Sequence, residues 1–141
     1  MQNNTSIASK SMSPQKNRRN RGRDERRRAE WSGRIAELVA AVFLMAKGYT
    51  IVARRVRSRY GEIDLVAKRG KRLAFVEVKY RRDLETARRS ISQEQTERLA
   101  NAAEKWAWAH PAYRNFRFGL DAVYIVPWRW PRHDMDGLQS F

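Results

Sequence analysis

The stretch YGEIDLVAKRGKRLAFVEVKYRR, residues 60–82, decides the fold, because two strand-like runs flank a tight basic turn. GEIDLVAK and RLAFVEVKY are rich in apolar and β-branched residues, and the KRGK segment between them is short enough to close a hairpin. The same runs carry three carboxylates, Glu62, Asp64 and Glu77, at positions where a charge is costly to bury. The sequence therefore predicts a β-hairpin with acidic side chains set among its apolar residues.

Pairing across this turn predicts that acids of the two strands meet. Side chains two residues apart on a strand face the same way, so Glu62 projects with Asp64, and Glu77 with Lys79. Antiparallel pairing about the turn brings Asp64 opposite Glu77. Carboxylates that close repel each other unless a cation joins them, and Mg²⁺ binds through one or two carboxylates. Taken singly, Asp64 could hydrogen-bond a loop and Glu77 could lie on a solvated face, but the joint pattern favours a metal site.

An apolar segment before the hairpin, SGRIAELVAAVFLMAKGY (residues 32–49), predicts a helix that contains one isolated acid. Ser32 is a candidate N-cap, and Gly48 stands where a left-handed C-terminal residue is favoured. Glu37 is the only charged residue between positions 35 and 46 of a helix that is apolar nearly all round. A buried acid needs a partner or a metal, so Glu37 is a further candidate site residue. On a helical wheel, one apolar stripe consists of Ile35, Val39, Val42 and Ala46, and Glu37 lies across from it beside further apolar residues, Ala40, Ala41 and Leu44. The helix is therefore expected to be buried on most sides, with Glu37 directed into the domain.

The remaining elements complete a small α/β domain. YTIVARRVRSR before the hairpin predicts a strand, residues 83–91 a loop, residues 92–110 a helix, and FRFGLDAVYIV a last strand. The order helix, three strands, helix, strand is typical of a single α/β domain. The predicted organisation is a flexible basic arm over residues 1–29, the domain over residues 30–127, and an irregular tail over residues 128–141.

Composition limits the class of protein. A net charge of +15 and a pI of about 11.1 favour a polyanionic partner, and the absence of a basic amphipathic stripe favours nucleic acid over a membrane. The lack of cysteine excludes disulfides and thiolate zinc sites. No apolar run is long enough to span a bilayer and no secretory segment follows the basic N-terminus, so a cytoplasmic location is expected. The arm carries nine of the 30 basic residues, either as a phosphate contact or as a solubilising tail.

A family resemblance rests on three segments of the chain. GEIDLVA followed by FVEVKYR, after the helix GRIAELVAAVFLMAKGY, resembles the YraN-like family of small bacterial proteins. That family is similar to archaeal Holliday junction resolvases, within the PD-(D/E)XK nuclease superfamily, and the resemblance covers residues 33–126. It implies a restriction-endonuclease-like fold, with a mixed sheet flanked by helices, and metal-dependent hydrolysis of DNA. The superfamily's proline is absent, because Ile63 precedes Asp64.

The resemblance also implies roles for particular residues. Asp64 matches the metal-binding aspartate and Glu77 the second acidic ligand, while Lys79 matches the lysine that positions or activates the attacking water. Glu37 matches the first-helix glutamate of the resolvase-like branch, and the backbone carbonyl of Val78 is a further candidate ligand. The implied cofactor is Mg²⁺ or Mn²⁺. Whether Lys79 acts as a base or as a phosphate ligand is left open.

The expected nucleic-acid contacts surround the acidic hairpin. Alternating arginines on the first strand and arginines after the motif could line a groove for a phosphate backbone, although about half of the charge is expected to be solvated surface. The candidate contacts are Arg55, Arg57, Arg59, Tyr60, Arg81, Arg82 and, by looser resemblance, Gln95. Trp106 is expected in the core. Trp128 and Trp130 are expected to have a surface role, either in docking the tail or in stacking on unpaired bases.

Three functions compete on these observations. The leading prediction is a metal-dependent endonuclease that acts on DNA, in particular branched or structured DNA. The alternative is a non-catalytic nucleic-acid-binding protein on the same fold, and the third is an RNA- or ribosome-associated structural factor. The acids favour the enzyme, because a pure binder gains nothing by presenting negative charge to phosphate. Resolvases work as dimers, so a homodimer is a further expectation, with the apolar C-terminal tail as the candidate seam.

Overall fold

The computed structural model describes residues 14–138, which divide into two compact units at the boundary between Met1–Trp31 and Ser32–Phe141. A single 3₁₀ turn, Pro111–Tyr113, precedes the fourth strand. The helices and strands are α1 (Pro14–Ala46), β1 (Thr50–Ser58), β2 (Gly61–Arg69), β3 (Arg72–Tyr80), α2 (Leu84–Arg89), α3 (Gln93–Ala109), β4 (Arg117–Ile125) and β5 (Arg132–Asp134).

The predicted hairpin is confirmed and forms the centre of a five-stranded sheet. The strand order is β1-β2-β3-β4-β5, and every neighbouring pair is antiparallel except β3 and β4. Arg69 pairs with Arg72 across the turn, as the KRGK segment predicts. Parallel strands need a long crossover, and α2 and α3 supply the one between β3 and β4. The second unit is therefore a mixed α/β domain with helices flanking a mixed sheet.

Two hydrophobic clusters lie on opposite sides of the sheet. One joins Phe75 and Ile63 to Leu99 and Trp106 of α3, which confirms the core position predicted for Trp106. The other joins strand residues of β2, β3 and β4 to the last turns of α1, with Leu44 fully buried. The sheet is thus covered on both faces, which explains why its central strands are continuously apolar.

The apolar part of α1 is buried on one face, whereas its sequence predicts burial on most sides. The stripe across from Glu37 is exposed: Ile35, Val39 and Val42 retain 44%, 39% and 54% of their accessible surface. The side chains that face the sheet are the smaller set on the other side, namely Ala36, Ala40, Ala41 and Leu44. Short side chains let a helix lie close to a sheet, and a helical wheel with two apolar faces cannot tell which one does so. Among residues 14–138, no helix has the length and apolar character needed to cross a bilayer.

The N-terminal segment also differs from its prediction. From Pro14 onward the chain is helical, and α1 continues through Ser32, which therefore does not cap a helix. Arginine is a good helix former, and Asp24 and Glu25 interrupt the run of positive charge, so local propensity favours helix here. Residues 1–13 of the predicted arm lie outside the described part of the chain.

The segment after β3 is more ordered than the predicted loop. Residues 84–89 form α2, and the Asp83 carboxylate caps it by accepting a hydrogen bond of 2.8 Å from the Thr86 N–H. The capping box predicted for α3 is confirmed, because Ser92 and Gln95 exchange hydrogen bonds between side chain and backbone. Both helices therefore begin at polar side chains whose caps are readable in the sequence.

The predicted irregular tail contains a strand. Arg132–Asp134 form β5, which pairs antiparallel with β4, and Leu138 is buried against the α3 side of the sheet. The strand is anchored by His133, whose Nε2 lies 2.7 Å from Asp121 Oδ2. A strand of three residues has no recognisable sequence pattern, because it is ordered by its pairing with β4.

Candidate active site

The site predicted from the hairpin lies where β2 and β3 stop pairing. Their ladder runs from the turn to Leu65 opposite Val76, whereas β3 continues alongside β4 as far as Tyr80 opposite Ile125. A fork therefore opens between β2 and β3 beyond Leu65. The Asp64 carboxylate fills it by accepting a hydrogen bond of 2.8 Å from the Val78 N–H. A side chain thus takes the place of the missing ladder bond.

The backbone of Val78 is directed into the same fork. In a strand, the N–H and C=O of one residue point toward the same neighbouring strand. Because the Val78 N–H points at Asp64 on β2, the Val78 carbonyl also faces β2, where the ladder has ended. An oxygen donor in addition to the carboxylates is therefore available at this position.

Asp64 and Glu77 form a largely buried pair of acids beside one cation. Burial raises the pKa of Asp64, and the Val78 N–H and Lys79 only partly oppose the rise. Burial and the charge of Asp64 raise the pKa of Glu77 to about 7. Lys79 Nζ lies 3.2 Å from Glu77 Oε1, and both side chains are largely buried. The two carboxyl groups together carry more negative charge than their surroundings balance.

Glu37 reaches the same neighbourhood from α1. Burial and then the charge of Asp64 raise its pKa, which places the Glu37 and Asp64 carboxylates within electrostatic range. Glu37 Oε2 lies 3.5 Å from Arg55 Nε. The Arg55 backbone has a φ of 50°, which is unusual for a residue other than glycine. Glu37 is thus close enough to feel the charge of Asp64, and it is paired with Arg55.

Three of the arginines predicted to line a phosphate groove, Arg55, Arg57 and Arg81, have partners within the chain. Arg55 pairs with Glu37, and Arg57 Nε lies 3.1 Å from Glu62 Oε1 on the exposed surface. Arg81 donates a hydrogen bond of 2.6 Å from Nη1 to the carbonyl of Tyr80. Part of this basic charge therefore balances nearby acids, as expected for a chain in which charges of both signs are crowded together.

Tyr60 and Gln95 occupy different parts of the surface near α3. Lys105 Nζ stands 5.2 Å from the centre of the Tyr60 ring, which is partly exposed. Gln95 is exposed at the first turn of α3, and its Oε1 accepts a hydrogen bond of 3.3 Å from the Ser92 N–H. This side chain has a structural role at the helix start, and its contact with nucleic acid stays a prediction.

The oxygen donors at the fork suit a small divalent ion that takes its remaining ligands from water and phosphate. Within residues 14–138, no three acidic or histidine side chains stand together as a ready metal cluster. Asp64 and Glu77 supply two adjacent carboxyls, and Val78 supplies a carbonyl directed at the same fork. Mg²⁺ is bound through one or two carboxylates and otherwise by water and substrate phosphate. Two buried acids with raised pKa values are the groups that such an ion would stabilise in their charged form.

A second buried charge network lies elsewhere on the sheet and was missed from the sequence. Arg72 donates two hydrogen bonds, of 2.8 and 2.6 Å, to Asp121, which is fully buried. His133 adds a contact to the same carboxylate, and Lys47 Nζ lies 2.6 Å from His133 Nδ1. Gly119 leaves room for the Arg72 guanidinium, since a Cβ there would collide with it. The signal available in the sequence was the presence of Arg72 and Asp121 in two otherwise apolar strands.

The sequence of the chain is similar to those of proteins in one family. The profile of the uncharacterised protein family UPF0102 matches residues 36–125. A UPF0102 protein of Nitrobacter winogradskyi is 52% identical over 102 residues, which cover 72% of this chain and 86% of the relative. Those of Rhodopseudomonas palustris (strain BisB18) and Methylocella silvestris are 50% identical over 109 residues and 43% identical over 113, covering 77% and 80% of this chain and 81% and 91% of the relatives. The matched span includes Glu37, Asp64, Glu77 and Lys79.

Proposed function

The chain belongs to the UPF0102 family, which is the YraN-like family that its motifs resemble, and from this we propose that it is a metal-dependent endonuclease that hydrolyses DNA phosphodiester bonds. The observation that carries the proposal is the buried pair of Asp64 and Glu77 beside Lys79, at the fork between β2 and β3. A nuclease-like arrangement of the domain and a preference for branched DNA are parts of the same proposal, and both rest on the family resemblance.

In this proposal Asp64, Glu77 and the Val78 carbonyl hold Mg²⁺ or Mn²⁺. When bound, the ion would polarise the scissile phosphate and lower the pKa of a water molecule. Glu37 adds negative charge next to Asp64, and it can become a ligand only if its ion pair with Arg55 opens. The fork fixes these groups in place because Asp64 is tethered to the β3 backbone.

Lys79 is the cation of the site. Its ammonium group lies 3.2 Å from Glu77 and can donate in three directions. Once the Glu77 carboxylate shares its charge with a metal, Lys79 becomes available to hydrogen-bond the attacking water or the scissile phosphate. Positioning of this kind is the contribution that the chain's own residues make to the reaction.

Metal-dependent cleavage tests the proposal directly. Wild-type protein is incubated with four-way junction, flap, single-stranded and duplex DNA in Mg²⁺ or Mn²⁺, next to Asp64→Asn, Glu77→Gln and Lys79→Met. Loss of a positioned acid–base group typically costs about 10²- to 10⁴-fold, and we expect losses on this scale in all three variants. Glu62→Gln, which changes an exposed acid on the same strand, is the matched control and should cleave like wild type. Mg²⁺ should also raise the melting temperature of wild type more than that of Asp64→Asn.

The alternative function makes a different prediction in the same assay. A non-catalytic nucleic-acid-binding protein would bind DNA tightly and cleave none of the substrates with either ion. Removing a carboxylate would then leave its binding unchanged or strengthen it, because less negative charge would face the phosphates. That result would replace the nuclease proposal, and tighter binding to RNA than to DNA would favour an RNA-associated role.

We propose a homodimer as the assembly, with α1 as the seam. The tail predicted to supply the seam has a partner inside the chain, since β5 pairs with β4 and Leu138 is buried. The outward face of α1 is instead the large exposed apolar surface of the second unit. Its residues recur at the three- and four-residue spacing of a helix–helix seam. They are Ile35, Leu38, Val42 and Met45. A second copy presents the same stripe, which is what a two-fold interface requires.

A further inference from the structure

The loop between β4 and β5, residues 127–131 with the sequence PWRWP, presents two indole rings to solvent. Trp128 and Trp130 keep 103% and 90% of their accessible surface, whereas the core residue Trp106 keeps 8%. Burying a large apolar side chain is among the strongest contributions to folding, and these two rings make none. They do not pack against the described part of the C-terminal tail, up to residue 138, and docking of that tail was one of the two roles expected for them. Such exposure of large aromatic rings is typical of a ligand-binding surface.

The backbone of this loop holds Trp128 in an unusual conformation. The Arg129 N–H donates a hydrogen bond of 3.3 Å to the Val126 carbonyl and closes a four-residue turn with Pro127 at its second position. Trp128 takes the third position with a φ of 62°. Glycine or asparagine is favoured there, and a bulky residue with positive φ is an outlier. Backbone strain of this kind is found mainly at ligand-binding and active-site positions, because it costs free energy of folding and is kept where it serves a function.

The loop leaves the sheet at the same end as the proposed catalytic residues. β3 and β4 run in parallel, with Lys79 beside Tyr124 and Tyr80 beside Ile125. Trp128 follows Ile125 by three residues, so their Cα atoms are at most about 11 Å apart. Neighbouring strands of a sheet are about 4.8 Å apart, and each nucleotide of one DNA strand advances by about 3.4 Å along the duplex axis. Trp128 is therefore within a few nucleotides of a phosphate held at Lys79.

The charge around the loop matches a nucleic acid. Arg129 stands between the two tryptophans and is exposed, and Arg81 and Arg82 follow β3 at the same end of the sheet. Arg81 is tied to β4, because its N–H donates a hydrogen bond of 3.2 Å to the Ile125 carbonyl. Aromatic rings interleaved with arginines bind single strands by stacking on bases while the cations track the phosphates. A paired base offers no free face to such a ring.

We propose that Trp128, assisted by Trp130, stacks on an unpaired base within a few nucleotides of the scissile phosphate, so that the substrate is DNA with unpaired nucleotides near the cleavage point. This inference rests on the proposed function for the position of the cut. The binding step itself is independent of cleavage. Stacking should give higher affinity for flaps and single strands, which have free base faces, than for duplexes and fully paired four-way junctions, whose bases are stacked within helices.

The test measures binding in the absence of cleavage. Full-length protein is titrated in EDTA against a single strand and a 5′ flap that carry 2-aminopurine, and against a duplex of the same sequence. Alanine substitution of a stacking residue typically costs about 5- to 150-fold per base, and we expect Trp128→Ala to lose affinity for the single strand and flap on this scale. Trp128→Phe should restore most of the loss, and all variants should bind the duplex alike.

Trp108→Ala is the matched control, because Trp108 is also a largely exposed tryptophan but belongs to α3. It should bind like wild type. Trp128→Ala should fold at least as stably as wild type in urea, since it removes no packing.

Three results would overturn the inference. They are an unchanged affinity of Trp128→Ala for the single strand, an equal loss on the duplex, and a loss of binding to phosphatidylglycerol vesicles that exceeds the loss on DNA. The proposed catalytic function can fail separately. Stacking without metal-dependent cleavage would leave this inference standing and remove the enzyme, whereas cleavage that Trp128→Ala leaves unchanged on every substrate would remove this inference alone.

Discussion

Asp64 and Asp121 both lie in apolar strands, yet their surroundings shift their pKa values in opposite directions. Burial alone would raise the pKa of Asp121, but hydrogen bonds from Arg72 and His133 outweigh it and hold the value at about 2. At Asp64 burial outweighs the Val78 N–H and Lys79, so the pKa is raised. A carboxylate that is fully satisfied is structural, whereas one that lacks positive charge is suited to bind a cation.

Glu77 predicts a pH dependence of stability in the metal-free protein. Its folded-state pKa of about 7 exceeds the ordinary value of 4.5, so between these values the folded state holds a proton that the unfolded state lacks. Stability should therefore fall as pH rises through this window, by at most about 1.4 kcal/mol per pH unit. Urea unfolding in EDTA from pH 5 to 8 measures it. Glu77→Gln should flatten the profile and Glu62→Gln should not; parallel profiles for all three proteins would contradict the assignment.

The Arg72–Asp121 pair predicts a large loss of stability when one partner is removed. Breaking a buried ion pair typically costs about 3–5 kcal/mol, because a charge is left without its partner. We expect Asp121→Ala to lose stability on this scale in urea, since Arg72 and His133 both depend on it. Arg57→Ala breaks the exposed pair with Glu62 and should cost less than about 1 kcal/mol. Equal losses in the two variants would show that Asp121 is not an anchor.

At the scale of elements, the fork between β2 and β3 is the feature that brings the residues of the proposed site together. The strands and their turn follow from two runs of apolar and β-branched residues and from Gly70, which has a φ of 58° in the turn. Where the ladder ends depends on the neighbours, because β1 keeps pairing with β2 and β4 with β3 beyond that point. Both strands are thus held rigid on their outer sides, and the acids between them are fixed in place.

The outward face of α1 predicts self-association. A glutamate in the middle of an apolar seam would leave a charge buried in the interface, so Val42→Glu should convert a dimer into a monomer. Light scattering coupled to size-exclusion chromatography measures the mass directly. Trp108→Glu places the same charge on another exposed apolar residue, on α3, and should leave the mass unchanged. A monomeric wild type, or a dimer that only Trp108→Glu disrupts, would contradict the proposed seam.

For the whole molecule, the distribution of charge predicts a salt-dependent, sequence-independent term in DNA binding. Arginines between positions 18 and 28 supply seven positive charges in the first unit. Replacing all seven with glutamine should weaken binding to every DNA structure by a similar factor. It should also reduce the slope of log Kd against log salt by about 0.9 for each lost phosphate contact.

Titration of duplex and flap DNA in 50 to 200 mM KCl measures this slope for the seven-glutamine variant and wild type. Glutamine keeps the helix propensity close to that of arginine, so circular dichroism should be unchanged. Equal slopes for the two proteins would show that this segment is a solubilising one, which is the second role considered for it.

The sequence by itself determined the hairpin, the closeness of Asp64 to Glu77, the capping box of α3 and the family. The first three depend on residue spacing within one helix or one hairpin, and such spacing sets side-chain directions without reference to distant parts of the chain. The tertiary structure decided which face of α1 packs on the sheet and that Asp121 is bound by Arg72 and His133. It also decided that the Trp128 side chain is exposed to solvent. Each of these depends on which distant segments become neighbours, because burial and ion pairing are properties of contacts that a local pattern does not contain.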